Sequence, residues 1–504
     1  MSADSYTYGT SQSNASSLKE PHIFLEKDLQ FITDSNSRNY SRNEVTFEST
    51  TMSNNGRFCD YKEGFISMPL VVRLSRSSGA AISDADAQKA IRMKNNLAMV
   101  DSVSVTYNNT TLIQETAEVA SHLIFKQHTT MSKDDVTRGD VIGHVKDSSS
   151  WTYGIGCGIQ NSSFDSASAS RQESPWQSSE ANVLTSDNVQ LSGSNYHVAD
   201  GGVHYFYYDC RIMLKDLSSV FEKLPLIKGA NFRITLRLNQ GSVSTTSIAA
   251  SAVGANPVVL HSKTVTSNLK GSSFPVIRLD PTALAYTEAI SVSVGKYDDA
   301  HQHNKKECRL YVPVYQLAPT YESQYLALGT KKIVYDDVYI NHVREVAKGS
   351  FSSLITNGLS RSKRLIVVPM LSRSGNGSSK LLPTESPYCS APATCSPQLC
   401  KMNVKVSGRN VYSSNMEFKY EHFINELNGK YGENGGMERG HSSSLISLKD
   451  YENVFGYFVV DLSRRHEEDD NTALSLELFG SVESPKSLDF LCIVEYEKDC
   501  EVDI

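Results

Sequence analysis

The chain has 504 residues, a net charge of −7 and a pI near 6.0. That length exceeds one ordinary core, so two or more domains, or large β domains with long loops, are expected. The acidic balance argues against a protein that coats nucleic acid by bulk electrostatics, which needs a basic excess. Nine scattered cysteines, an odd number, do not make a disulfide framework, and free thiols in a reducing compartment are the simpler reading. No apolar run opens the chain and no stretch approaches the roughly 18 apolar residues of a membrane helix, so a soluble protein made in the cytosol is expected.

Residues 1–22 are polar and rich in Ser, Asn and Thr, and read as a flexible N-terminal arm. Strand signals begin near residue 44. FISMPLVVRL (65–74) is apolar and β-branched, and AMVDSVSVTYNNTTLIQ (98–114) alternates, turns at Asn108-Asn109 and resumes. Asn tolerates positive φ, so this is a tight hairpin. ETAEVASHLIFKQ (115–127) predicts a short helix. Residues 129–203 are sparse in apolar side chains and read as a long exposed loop insertion. A strand over 204–217 and a short helical element broken by Pro225 and Gly229 follow.

In GANFRITLRLNQG (229–241), Phe232, Ile234, Leu236 and Leu238 alternate with Arg233, Thr235, Arg237 and Asn239. This is a core strand with one dry and one polar face. Residues 241–272 are another Gly/Ser/Thr/Ala loop region. Further strands are expected at 274–279, 289–295 and 308–317, then a helical connector at 320–330. The second half reads as strands over 331–340, 363–371, 401–412, 416–427, 454–463, 473–480 and 488–497. Many strands and few helices predict an all-β chain of two antiparallel sandwiches.

The halves echo each other. Val103-Ser-Val105, the Asn108-Asn109 turn, Leu112 and a helix resemble Val404-Lys-Val406, Gly408-Arg409-Asn410, Val411 and the helix-like EHFINEL. With similar strand content on both sides, the echo suggests duplication of one fold.

The runs MVDSVSVTYNNTTLIQ, DVIGHVKDSSSWTYGIG and YYDCRIMLKDLSSVFEKLPLIKGANFRITLRLNQ, with VKVSGRNVYSSNMEFKYEHFINEL in the second half, resemble the major capsid proteins of polinton-like viruses and virophages. The resemblance rests on the order and character of segments over roughly residues 40–500. It implies two tandem eight-stranded jelly rolls of the adenovirus and tectivirus lineage, at 23–318 and 331–504, with a connector at 319–330. It also implies a virion protein that forms pseudo-hexagonal homotrimers in an icosahedral shell around double-stranded DNA. Neighbouring trimers, penton proteins and minor capsid proteins would be its partners.

No residue is assigned a catalytic, cofactor-binding or metal role. Asp298, Asp299, His301 and His303 lack partner spacing, and a solvated loop is the plainer reading. Cys389, Cys395 and Cys400 are spaced more widely than ordinary zinc ligands. Arg138-Gly139-Asp140 is a receptor-type tripeptide but reads as a turn, and the run 464–470 (RRHEEDD) reads as a solvated loop. No G-x-S-x-G, H-E-x-x-H or P-loop pattern occurs.

The leading reading is a structural shell protein. The alternative, a secreted or surface carbohydrate-binding β-sandwich, would rest on aromatic platforms, and only Trp151 and Trp176 are available. Arg suits a covered polar face because its planar fork pairs carboxylates bidentately. Arg233 and Arg237 are therefore expected at an inter-domain or inter-subunit contact, not on DNA. Purified protein is expected to carry no stoichiometric zinc or iron. Elemental analysis checks this, and one tightly held metal per chain would reverse the reading of the Cys389, Cys395 and Cys400 segment.

Overall fold

The computed structural model describes residues 23–35, 44–53, 56–76, 78–82, 87, 91–93, 96–132, 151–154, 158–161, 196–199, 203–239, 241–245, 262–265, 275–278, 290–296, 307–372, 400–428, 445–453, 455–462, 472–484 and 487–503. Eight strands frame the first half: β1 (Phe24–Thr33), β2 (Glu44–Glu48), β3 (Phe65–Arg76), β4 (Val100–Tyr107), β5 (Thr110–Ile113), β6 (Val203–Met213), β7 (Phe232–Leu238) and β8 (Arg309–Leu317). Eight frame the second: β9 (Thr330–Val346), β10 (Gly349–Leu359), β11 (Ser362–Leu371), β12 (Cys400–Val406), β13 (Arg409–Asn410), β14 (Phe458–Asp461), β15 (Leu474–Val482) and β16 (Leu488–Asp503). The helices are α1 (Ala120–Thr130), α2 (Leu214–Leu217), α3 (Ser219–Lys223), α4 (Pro319–Leu326), α5 (Tyr420–Leu427) and α6 (Leu448–Asn453).

Hydrogen bonding orders the first half as β1-β8-β3-β6 and β2-β7-β4-β5. The second half is ordered β9-β16-β11-β14 and β10-β15-β12-β13. Adding eight to each label of the first half gives the second. In both, all pairings are antiparallel, and the last strand lies between the first and third. This is the jelly-roll order, so the chain is a double jelly roll. Short strands between β7 and β8 extend the first sheet: Ile290–Lys296 pairs with β3 beside β8, and Gly241–Thr245 and Ser262–Val265 continue outward.

The hairpin turns repeat as well. Asn108 and Asn109 adopt φ of 45° and 66° between β4 and β5, and Ser407 and Gly408 adopt 47° and 82° between β12 and β13. Two successive positive φ values give the turn whose twist matches its flanking strands.

Burial follows the pleat where one face is wet. In β7 Phe232, Ile234, Leu236 and Leu238 are 0–3% exposed, with Arg233 and Arg237 outward. In β11, Leu365, Ile366, Val367 and Val368 are all buried. That strand has no alternation because something covers both its faces.

Several boundaries differ from the sequence reading. The helix expected at 115–127 starts at Ala120, because Glu118 takes a φ of 65° that no helix admits. The strand expected over 204–217 ends at Met213, where α2 begins. Within 416–427 the strand is confined to Met416–Glu417, and α5 follows where EHFINEL reads as helix-like. β1 and β10, both edge strands, carry no clean apolar alternation and were not expected. Of the 129–203 insertion, the described parts include two short pairings, Trp151–Gly154 with Gly158–Asn161 and Tyr196–Ala199 with β6. The 1–22 arm lies outside the described residues.

Truncating a fully buried Leu leaves a cavity. Leu236→Ala is expected to destabilise the protein by about 2–5 kcal/mol in denaturant titrations. Leu236→Asp is expected to abolish folding, read as loss of soluble protein and of a cooperative transition.

Candidate functional site

The residues that do most in this chain lie where its two sandwiches meet. β9 and β16 run 17 and 16 residues, longer than the sandwich they close. Their far ends lie on the first sandwich, where Ile333, Tyr335 and Val502 join its core. Tyr335 donates from its hydroxyl to the Leu112 carbonyl at 2.7 Å, and the Asp503 N–H donates to the Tyr107 hydroxyl at 3.0 Å. Ser219, at the start of α3, accepts from the Asp336 N–H at 2.8 Å and donates to the Asp336 carbonyl at 3.0 Å.

The first half reaches back through α1. Leu123 and Ile124 belong to the first core, while Phe125 belongs to the second and meets Tyr457 edge-on at 4.8 Å. His128 packs on Phe455 at 4.7 Å, and its carbonyl accepts from the Leu445 N–H at 3.1 Å. Nine of the 11 residues of α1 are buried, as a helix between two bodies requires.

Charges cross the same boundary. His122 Nε2 lies 2.7 Å from Glu495 Oε1, and Arg364 Nη1 lies 3.5 Å from Glu495 Oε2, all three side chains being nine-tenths or more buried. A reciprocal pair joins His342 of β9 to Glu118 at 2.5 Å. Burial alone would push the Glu495 carboxyl up, but the Arg364 charge and the His122 hydrogen bond outweigh it and hold it down at about 2. Nearby, Lys363 binds Asp336 at 2.9 Å and Glu497 at 3.6 Å, and Asp337 accepts from Tyr496 at 3.1 Å and from Lys498.

His122, Asp336, Asp337, Lys363, Arg364 and Glu495 border a cleft of about 740 Å³ between the halves, whose walls also include Lys126 and Asp216. Asp216 is raised above the ordinary carboxylate range by burial. Lys363, Arg364 and Lys498 are matched to carboxylates inside the second half, and the His122–Glu495 and His342–Glu118 pairs carry the network across the boundary, which is the geometry of a joint. Among the described residues no group of three or more His, Cys, Asp or Glu is placed to hold a metal ion.

Arg233 and Arg237 lie on the outer face of β7. Arg233 faces Glu48 at 3.8 Å and Arg237 binds Glu115 at 2.7 Å, with both arginine side chains more than half exposed. Both partners belong to the first sandwich, so these ion pairs do not join the two domains. Cys400 is buried. Asp298, Asp299, His301, His303, Cys389, Cys395, Arg138-Gly139-Asp140, Trp176 and 464–470 lie outside the described residues.

Sequence reasoning missed the joint. Its members are 373 residues apart for His122 and Glu495, and 224 for Glu118 and His342. The available signal was a His beside the apolar run LIF in the expected helix, and a Glu inside the apolar run LCIVEY.

No protein-family model matches the chain, and no curated protein matches it. Among solved structures, a chain from the cryo-EM structure of the Sputnik virophage is similar over 96% of this chain and 88% of that one, with 12% identity and a TM-score of 0.52. The mavirus major capsid protein is similar over 100% and 95%, with 11% identity and a TM-score of 0.45. The Faustovirus major capsid protein is similar over 96% and 91%, with 10% identity and a TM-score of 0.46. The Sputnik likeness spans both sandwiches and is a likeness of fold.

Glu495 is held below its unfolded value, near 4.5, so its contribution is complete above about pH 4.5 and is lost as pH falls towards 2. Asp216 works in the opposite sense, since its burial cost is relieved on protonation. Glu495→Gln, which strands buried Arg364, is expected to cost about 3–5 kcal/mol at pH 7. It is also expected to flatten the acid limb of a stability–pH profile. An unchanged acid limb would remove Glu495 from this role.

Proposed function

We propose that this chain is the building block of a viral capsid, a structural protein that self-assembles into homotrimers of pseudo-hexagonal outline. In this reading the trimers tile an icosahedral shell around a double-stranded DNA genome, with penton and minor capsid proteins as further partners, and the protein resides in the virion. The observation that carries the reading is the double jelly roll itself, repeated strand for strand and similar over almost the whole chain to a virophage chain.

The physical features support it. Two sandwiches locked by a buried joint make a rigid block, and a shell needs blocks that transmit contact without bending. The charged groups of the joint are paired with one another, and two His–carboxylate pairs tie one half to the other, which suits a structural role over a catalytic one. Stable obligate interfaces bury about 2,000 Å² or more, an area that long sandwich faces supply. Arg233 and Arg237 belong to the same proposal: more than half exposed beyond their local partners, they are available to carboxylates of a neighbouring copy.

Light scattering and electron microscopy of the purified full chain test this. Trimers or closed shells are the expected outcome, and a uniform monomer at high concentration would overturn it. Arg233→Glu with Arg237→Glu is expected to keep its circular dichroism and lose the trimer. A double variant of normal mass would show that these arginines are only solvated.

A further inference from the structure

The chain repeats itself at an offset close to 300 residues, and the repeat reaches the joint. Pro69 and Pro369 occupy β3 and β11, and the turns Asn108-Asn109 and Ser407-Gly408 follow β4 and β12. Ser121-His-Leu-Ile124 in α1 corresponds to Glu421-His-Phe-Ile424 in α5. Each helix follows the fifth strand of its own sandwich, yet the two are used differently. α1 is covered on both sides. α5 buries Phe423, Glu426 and Leu427 against its own sandwich, leaves Glu421 and Asn425 exposed, and leaves Tyr420, His422 and Ile424 half-buried.

The surfaces that receive these helices are equally unequal. α1 lies on the side of the β9-β16-β11-β14 sheet that carries Glu495. Phe490, of opposite parity on β16, packs on Phe351 of β10 at 5.3 Å, so Glu495 points away from the partner sheet. In the first sandwich the corresponding sheet is β1-β8-β3-β6. Its outward side carries Leu29 and Phe31, each exposed by 49%, with Leu25, exposed by 53%, at the irregularity that opens β1, and among the described residues no helix covers them. This face is ordered. Tyr311 stacks on Phe65 at 5.0 Å, the Arg309 guanidinium lies 4.3 Å over Phe31, and Arg211 lies 5.6 Å over Phe65. Lys27 and Arg57 at its margin are neutralised by Glu63, and by Glu26 and Asp28.

Resting on the assembly reading above, we infer that α5 of one copy docks on the outward β1-β8-β3 face of a second copy, as α1 docks on the corresponding face within the chain. The charges complement each other: α5 (YEHFINEL) presents Glu421 and holds no Lys or Arg, and the receiving face is flanked by Arg211 and by Arg309, which also pairs with Glu307 at 3.5 Å. The contact is more polar than the internal one, since Asn425 stands where α1 has Phe125. That suits a surface that must stay soluble until copies meet. Each copy donates one helix and accepts one, so the interface is head-to-tail and its repetition closes a ring or runs on as a filament.

Photo-crosslinking tests the contact. A chain with p-benzoylphenylalanine in place of Leu29 is mixed with isotopically heavy wild-type chain, assembled and irradiated. Crosslinks from the light chain to the heavy peptide holding 420–427 are expected. Crosslinks mapping elsewhere would overturn the inference while leaving assembly intact. Two surface variants give an independent reading by mass: Leu25→Asp with Leu29→Asp, and Glu421→Arg with Asn425→Arg. Each is expected to fold and lose the wild-type oligomer. Wild-type mass in both would also overturn the contact, whereas a monomeric wild type would overturn the assembly reading and this contact with it.

Discussion

Everything in this molecule depends on two strands that are too long for their own sandwich. β9 and β16 complete one jelly roll with their near halves and the core of the other with Ile333, Tyr335 and Val502. Burying an aliphatic side chain of this size contributes roughly 1.5–3 kcal/mol, as an upper figure. Losing several at once would expose an apolar seam along β4 and β5. α1 returns the dependence by placing Phe125 in the second core. The halves are two by topology and one by packing.

Apolar burial alone would let one sandwich slide over the other, because it has no direction. The hydrogen bonds and ion pairs of the joint do have direction. Ser219 grips both backbone groups of Asp336, and the two His–carboxylate pairs point opposite ways across the boundary. Buried ion pairs give little net stability, since desolvation offsets their attraction, but a broken one is costly. Their physical effect here is to make every other relative orientation worse. The proposed assembly, in which identical copies meet at fixed angles, would draw on that property.

Duplication explains the architecture and also where it becomes asymmetric. The same turn follows β4 and β12, and the same helix follows each turn. One helix is buried between the halves, whereas the other has a polar outer side. The equivalent sheet faces differ accordingly: α1 covers one, and among the described residues no helix covers the other. A single chain can satisfy only one of two equivalent junctions with itself.

Local chemistry was legible in the sequence wherever one residue's neighbours decided its fate. The period-two run of β7 declared its core face, Asn108-Asn109 declared a hairpin, and the echo of that hairpin with its helix declared a duplicated all-β fold. Edge strands such as β1 and β10 were not legible, because backbone pairing holds them in place and their side chains, largely exposed, show no strand period. The helix start at Ala120 was missed because Glu118 takes a positive φ at a junction no local propensity describes. The pairing of the sixteen strands, the reach of β9 and β16 across both cores, and the joint of His122, Glu495 and Arg364 were set only by tertiary structure. Their partners lie hundreds of residues apart, and a buried charge becomes meaningful only when the opposite charge that neutralises it has been brought beside it.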